Sequence, residues 1–151
     1  MKWFERLATY LNKKGRRRMI KRDGEDYLER FYIFSSKRLG IYLHRFWADD
    51  DPMLHDHPWH SISILIHGRY FETIPANRDN PFGQVHTLTR GPLKPIMFWR
   101  RAQDCHWITL PKWQKPGETW SIFVRFNRIR KWGFYKDGKF ELAKVQSRKD
   151  L

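Results

Sequence analysis

Two histidines one residue apart, His55 and His57, lie at the start of the stretch LHDHPWHSISILIHGRYFE, residues 54–72. If that segment is extended, side-chain alternation places both imidazoles on one face of a strand. Imidazole is the commonest transition-metal ligand, so the pair reads as two legs of a metal site. A third leg is offered by RRAQDCHWITL, where His106 begins a run whose alternate residues Ile108 and Leu110 are apolar. That pattern turns its ring toward the same interior. Three neutral imidazoles leave two or three open positions on an octahedral metal, or one on a tetrahedral metal. One divalent ion per chain is expected, with iron, nickel, manganese and zinc all compatible. A site without a carboxylate carries a higher charge at the metal and favours direct binding of a carboxylate, thiolate or enolate.

The other candidate groups are ranked by the same alternation. His60 is the first substitute ligand, reaching the cavity only if the chain bulges after Pro58. His86, in QVHTL, does not share a face with its apolar neighbours Val85 and Leu88 and points outward. The bland alternative for His55 and His57 is a hydrogen-bonded pair beside a proline turn. Arg45, Arg100 and Arg125 are the basic residues nearest predicted inward positions and are candidate partners of an anionic substrate. Cys105 alternates away from His106 and reads as a buried, inert thiol. The acidic turn ADDDP, with Asp49, Asp50 and Asp51, reads as solvated.

These residues need a sheet to hold them. Residues 61–66 are β-branched or apolar with small polar breaks, Gly68 ends that strand, and 69–74 reads as the next. Residues 27–34 and 39–47 form an earlier hairpin around SSKRLG; 84–89, 96–99, 106–110 and 119–126 supply further strands, and FYKDGKFEL is a hairpin around Asp137 and Gly138. TRGPLKP reads as a turn. Trp59, Trp99 and Phe123 alternate inward and fill the interior. Trp3, Phe4, Leu7, Tyr10 and Leu11 recur at helical spacing, so the N-terminus is an amphipathic helix that docks on the sheet, with a membrane-surface helix as the alternative. Roughly eight to ten short strands make an all-β barrel or jelly roll. The division is a basic N-terminal helix and arm over 1–26, a barrel over 27–143 and a polar tail over 144–151.

A chain of 151 residues suits one domain with a single core. Thirty Lys and Arg against sixteen Asp and Glu leave a formal charge of +14, a field that attracts polyanions or anionic substrates. Seven of these cations, Lys13, Lys14, Arg16, Arg17, Arg18, Lys21 and Arg22, crowd into residues 13–22, where they either contact nucleic acid or another polyanion, or stay solvated. The single cysteine excludes an internal disulfide. With no signal-peptide pattern and no run of about 20 apolar residues, the expectation is a cytoplasmic protein with a small-molecule substrate, compatible with a homodimer.

The stretch around His55 and His57 also resembles the first motif of the cupin superfamily, in which His-x-His is followed by a Glu three or four residues later and a Gly about seven residues beyond that. His55, His57 and Gly68 fit the spacing, and Ser61 stands where the family has Glu. His106 is the match to the histidine of the second motif, with Arg101, Gln103 and Leu110 where that pattern has Pro, Gly and Asn. HDHPW is similar to a signature of small cupin-like proteins. The resemblance spans roughly 27–125 and implies a cupin-type double-stranded β-helix. Three-His sites of that superfamily occur in thiol and diketone dioxygenases, while carboxylate-bearing sites occur in isomerases, epimerases and other oxygenases. Some members only bind sugars or transcriptional ligands. Two expectations follow: a metal-dependent, Fe(II)-type oxygenase acting on a small anionic or thiol substrate, or a noncatalytic binding protein that engages nucleic acid or another polyanion through its basic surface.

Overall fold

Alternation along each strand sorts the side chains onto two faces, and two antiparallel sheets use it to enclose an interior. The computed structural model describes residues 1–91 and 97–143; most of TRGPLKP and the tail from Lys144 lie outside these. One helix, α1 (Trp3–Lys13), precedes β1 (Arg17–Arg22), β2 (Glu25–Ser35), β3 (Gly40–Phe46), β4 (Leu54–His55), β5 (Ser61–His67) and β6 (Tyr70–Pro75). Then follow β7 (Val85–Arg90), β8 (Met97–Arg100), β9 (Trp107–Thr109), β10 (Thr119–Arg125), β11 (Gly133–Lys136) and β12 (Lys139–Leu142). The first sheet has the order β1-β2-β3-β10-β5-β8. The second consists of β12-β11-β4 and β9-β6-β7, joined by an antiparallel bridge between His55 and His106. This is the cupin-type β-sandwich, all-β apart from one helix.

The interior is apolar at one end. Leu28, Phe46 and Leu65 of the first sheet pack against Tyr70 and Ile108 of the second. Two residues further along the same strands stand Arg30, His44, Ser63, Glu72 and His106, so a polar layer lies directly on the apolar one. Gly68 makes the expected turn from β5 to β6 with φ of +72°, and a Cβ there would lie 2.8 Å from Thr119 Cα. Glycine suits both constraints. The Asp137–Gly138 hairpin also forms, with φ of 49° and 73° at the two turn residues.

The outer face of the first sheet is covered in part by α1, whose Phe4, Ala8 and Leu11 pack on Phe31, Leu43 and Trp120. The helix therefore docks on the sheet, although Trp3 and Tyr10 of the expected apolar stripe are exposed. Among the described residues no helix is long and apolar enough to cross a membrane.

Two expectations about this end of the chain are corrected. The basic arm over 1–26 is not a separate arm: Arg17–Arg22 is a strand paired with β2, and β2 itself begins at Glu25. Several of its cations face internal partners instead of open solvent. Arg17 pairs with Glu29, Lys21 with Asp26, and Arg22 with Asp50 and Asp51. Arg16 donates to the Ile33 carbonyl, and the Lys14 ammonium lies over Tyr10. Trp99 does not fill the interior; it is 50% exposed, because the inward positions of β8 are Phe98 and Arg100.

Candidate metal centre

The His-Asp-His run works by sending its middle residue the other way. Asp56 is fully buried and accepts hydrogen bonds from the Gly133 N–H at 2.8 Å, the Tyr135 hydroxyl at 3.0 Å and the Arg130 guanidinium. These contacts bind the segment leading into β11 to the two-residue strand β4, which pairs through His55 with Phe134. On its other edge His55 exchanges both backbone hydrogen bonds with His106, at 3.1 and 3.0 Å. The His57 N–H donates to the Ala102 carbonyl at 3.0 Å.

The three rings form a nearly equilateral triangle, with centroids 5.2, 5.0 and 5.2 Å apart. One nitrogen from each of His55, His57 and His106 lies within 4.8 Å of the others. Nε2 of His57 is 2.9 Å from Nε2 of His106. Cis ligands at about 2.1 Å from a common metal stand about 3.0 Å apart, so this pair already has the separation a divalent ion requires. His55 completes the set, its Nδ1 lying 3.4 Å from the Met53 carbonyl. Burial, reinforced by the neighbouring imidazoles, lowers the pKa of His57 well below its ordinary value; burial lowers that of His55 to about 4. Both rings are thus held neutral, the form that binds metal.

Glu72 is the functional residue that the sequence reading misses. It is 1% exposed, and its Oε1 accepts from His106 Nδ1 at 2.8 Å. The same carboxylate accepts from Arg100 Nε at 2.8 Å and Arg90 Nε at 2.7 Å, while Arg100 Nη1 reaches Ser63 Oγ at 3.1 Å. Burial opposes its charge, but Arg100, His106 and Arg90 hold the Glu72 carboxyl well below the usual carboxylate range. The carboxylate fixes the proton of His106 on Nδ1 and leaves Nε2 to face His57. Its only mark in the sequence is an acid on the buried alternation of β6, between Tyr70 and Ile74.

The acidic turn is solvated only in part, Asp49 being exposed and Asp50 not. Asp50 is buried, its carboxylate accepting from the Ile108 N–H at 2.7 Å and from the Tyr27 hydroxyl, and Asp49 accepts from the Leu110 N–H at 2.6 Å. The turn thereby acts as an edge partner for β9, the strand that begins one residue after His106.

Of the remaining candidates, His60 accepts from the Ala102 N–H at 2.9 Å and stacks on Trp99, which braces the loop before His106 without adding a ligand. His86 is exposed on β7, at a cleft of about 300 Å³ also lined by Glu72, Arg90, Phe98, Arg100 and His106. Cys105 is a buried free thiol, pushed up to about 12 by burial and by Asp56. The three arginines separate. Arg100 belongs to the Glu72 network. Arg45 lies on the outer face, donating to the Gly117 carbonyl at 2.7 Å with its guanidinium over Trp47 and Trp120, because Arg45 alternates with the interior residues His44 and Phe46. Arg125 is tied to the β2–β3 turn, donating to Ser36 O at 2.7 Å and to Tyr42 Oη at 3.1 Å.

No family model and no curated protein matches this chain. Solved structures do. HEPD of Streptomyces albus, with 2-hydroxyethylphosphonate and Fe(II) bound, aligns with 76% of this chain and 26% of its own at TM-score 0.54 and 14% identity. HppE in its Fe(II) form with substrate aligns with 73% of this chain and 55% of its own at TM-score 0.53 and 16% identity. The DMSP lyase DddQ of Ruegeria pomeroyi aligns with 80% of this chain and 58% of its own at TM-score 0.51 and 14% identity. These are cupin folds, and the chain shares their architecture. It spans between about a quarter and three fifths of the length of these three chains.

Proposed function

We propose that the protein is a metal-dependent enzyme that holds one divalent ion, iron first, on His55, His57 and His106, and acts as an oxygenase on a small anionic or thiol substrate. The observation that carries this reading is the hydrogen-bonded chain Glu72–His106, which aims Nε2 of His106 at the nitrogen of His57 from 2.9 Å away. A hydrogen-bonded pair of structural histidines would not require a buried carboxylate to select the tautomer of one of them. Two of the structural neighbours are Fe(II) proteins, one with a phosphonate substrate bound. A bound divalent ion would supply Lewis-acid and one-electron chemistry at positions left open by the three imidazoles.

The chain's own residues prepare that position. Glu72 orients His106, and Arg100 with Arg90 balances Glu72, leaving a net positive network beside the site. The formal charge of +14 acts in the same direction, drawing anions toward the molecule. Trp132 and Phe134 lie against His55, with ring centroids at 6.5 and 6.0 Å, and form an apolar wall that limits water on that side.

The test is metal analysis of protein made without a His tag and reconstituted anaerobically with Fe(II), Mn(II), Ni(II) and Zn(II), followed by location of the ion by anomalous scattering. About one ion per chain at the three histidines is expected. Background content after every reconstitution would remove the enzyme reading.

A further inference from the structure

The helix that docks on the first sheet carries more than the stripe it buries. At about 100° per residue, Phe4, Ala8 and Leu11 form the line that packs on Phe31, Leu43 and Trp120. Glu5, Thr9 and Asn12 form one flank, which lines a cleft of about 570 Å³ together with Arg17, Glu29 and Arg45. Trp3, Leu7, Tyr10 and Lys14, at spacings of four, three and four residues, form the other flank. Arg6 and Lys13 stand on the side farthest from the sheet.

The flank of Trp3 and Tyr10 belongs to an apolar surface that the fold leaves open. Both rings are 57% exposed, and Leu7 is only partly buried against the core. Glu29 and Arg45, partners in register, lie two residues to one side of Phe31 and Leu43, where the cleft flank meets them. The Trp3 flank therefore looks the other way, toward Ile33 and Ile41. There the outer face of the sheet continues as Ile41, Val124, Ile62 and Trp99, in register across β3, β10, β5 and β8. Among the described residues no acid takes an outward position on that side. The cations above it are available to an external partner. The Lys14 ammonium lies 5.8 Å from the Tyr10 ring centroid, and the side chains of Arg6 and Lys13 make no hydrogen bond or ion pair among the described residues.

Exposed aromatics bordered by cations match the level of a bilayer where acyl chains give way to anionic headgroups. Trp and Tyr settle at that level, and Lys and Arg reach the phosphates. A second copy of the chain would set Arg6, Lys13 and Lys14 against the same cations, and duplex nucleic acid would use the cations and leave both rings in water. We propose that the outward side of α1 docks on a bilayer surface rich in anionic phospholipid, with Trp3 and Tyr10 in the headgroup layer and Arg6, Lys13 and Lys14 at the phosphates. The helix then binds its own sheet and the bilayer at once, through different stripes. With 11 residues it is too short to cross, so the contact is peripheral. The formal charge of +14 adds long-range attraction; the two aromatics select the face.

The experiment is co-sedimentation of the full chain with vesicles of phosphatidylcholine alone and of phosphatidylcholine with about one-third phosphatidylserine, in about 0.1 M salt. Binding to the anionic vesicles and not to the neutral ones is expected. Trp3→Ala combined with Tyr10→Ala leaves the charge unchanged and should weaken partitioning by about tenfold or more. Arg6→Gln with Lys13→Gln should weaken it by a similar factor, about tenfold. The same charge change on the exposed β11–β12 hairpin, Lys136→Gln with Lys139→Gln, should stay within about twofold. Melting temperatures report whether each variant is folded, and the Arg6 and Lys13 pair gives an independent reading if the aromatic variant melts early. Absence of a preference for anionic vesicles, wild-type partitioning by the aromatic variant, or equal losses from the two charge pairs overturns the proposal. So does vesicle-independent binding of a single-stranded oligonucleotide lost in the aromatic variant, which assigns the face to nucleic acid, or a dimer in solution broken by that variant, which assigns it to a second copy.

Discussion

Glu72 and His106 are hydrogen-bonded to each other between neighbouring strands of one sheet, Oε1 to Nδ1 at 2.8 Å, although 34 residues separate them in the chain. Each is held by independent means, Glu72 by two arginines and His106 by the backbone bridge to His55. The contact converts an imidazole that could present either nitrogen into one that presents Nε2 to the cluster.

Replacing Glu72 with Gln should therefore weaken metal binding by about 10–100-fold, the range found when a partner behind a ligand is lost. It should also reduce folding stability by about 3–5 kcal/mol, because Arg100 is left buried without its counter-charge. Competition against a chelator and denaturant unfolding measure the two effects. Metal affinity unchanged in the variant would sink the orienting role.

The ligand set predicts an order among single variants. His57→Ala and His106→Ala should each lower metal affinity by at least about tenfold, and His86→Ala should leave it unchanged because that ring stands exposed on β7. His60→Ala should change it only slightly, by loosening the loop that Ala102 anchors. A larger loss from His86→Ala than from His106→Ala would assign the third ligand elsewhere.

Acid should unfold the metal-free protein through this cluster. The pKa of His55 in the folded state is depressed to about 4 from an ordinary 6.5, chiefly by burial, and that of His57 moves the same way. A depressed folded-state value means that the neutral rings favour the fold fully above about pH 6.5, and that this contribution is lost as pH falls through 4. Melting temperature should drop across that interval, and by less in His55→Gln. Parallel profiles for the two proteins would show that His55 does not titrate in this way.

Asp56→Asn should be destabilising by about 1.5–3 kcal/mol, since hydrogen bonds from Arg130, Tyr135 and Gly133 converge on one buried carboxylate. Metal affinity should fall as well, because β11 and β4 lose their anchor. Chemical denaturation with a parallel metal titration tests both, and full metal affinity in a destabilised protein would confine Asp56 to the fold alone.

Some of this was contained in the chain itself. His55 and His57 share a face because alternation is a local property of extended backbone, and Gly68 marks the end of a strand because its backbone conformation and close approach to Thr119 both disfavour a side chain. His106 could be placed by the same period, through Ile108, and the helix could be recognised from spacings within one segment. Those are short-range regularities, and they sufficed for most strands of the β-sandwich and for the facing of the three histidines, though not for β1. Residue type alone could not decide which charges would be matched. Asp50 sits in a run of three aspartates that looks solvated, yet it is buried, because β9 needed an edge partner. Arg45 and Arg30 lie on neighbouring strands with similar surroundings in sequence; register directs one to the outer face over Trp120 and the other inward beside His44. Glu72 came to stand behind the candidate metal ligand His106 only when β6 was laid beside β9 and opposite Arg100. Pairings of that kind depend on long-range register and on the desolvation of each charge, which tertiary packing sets and local sequence does not.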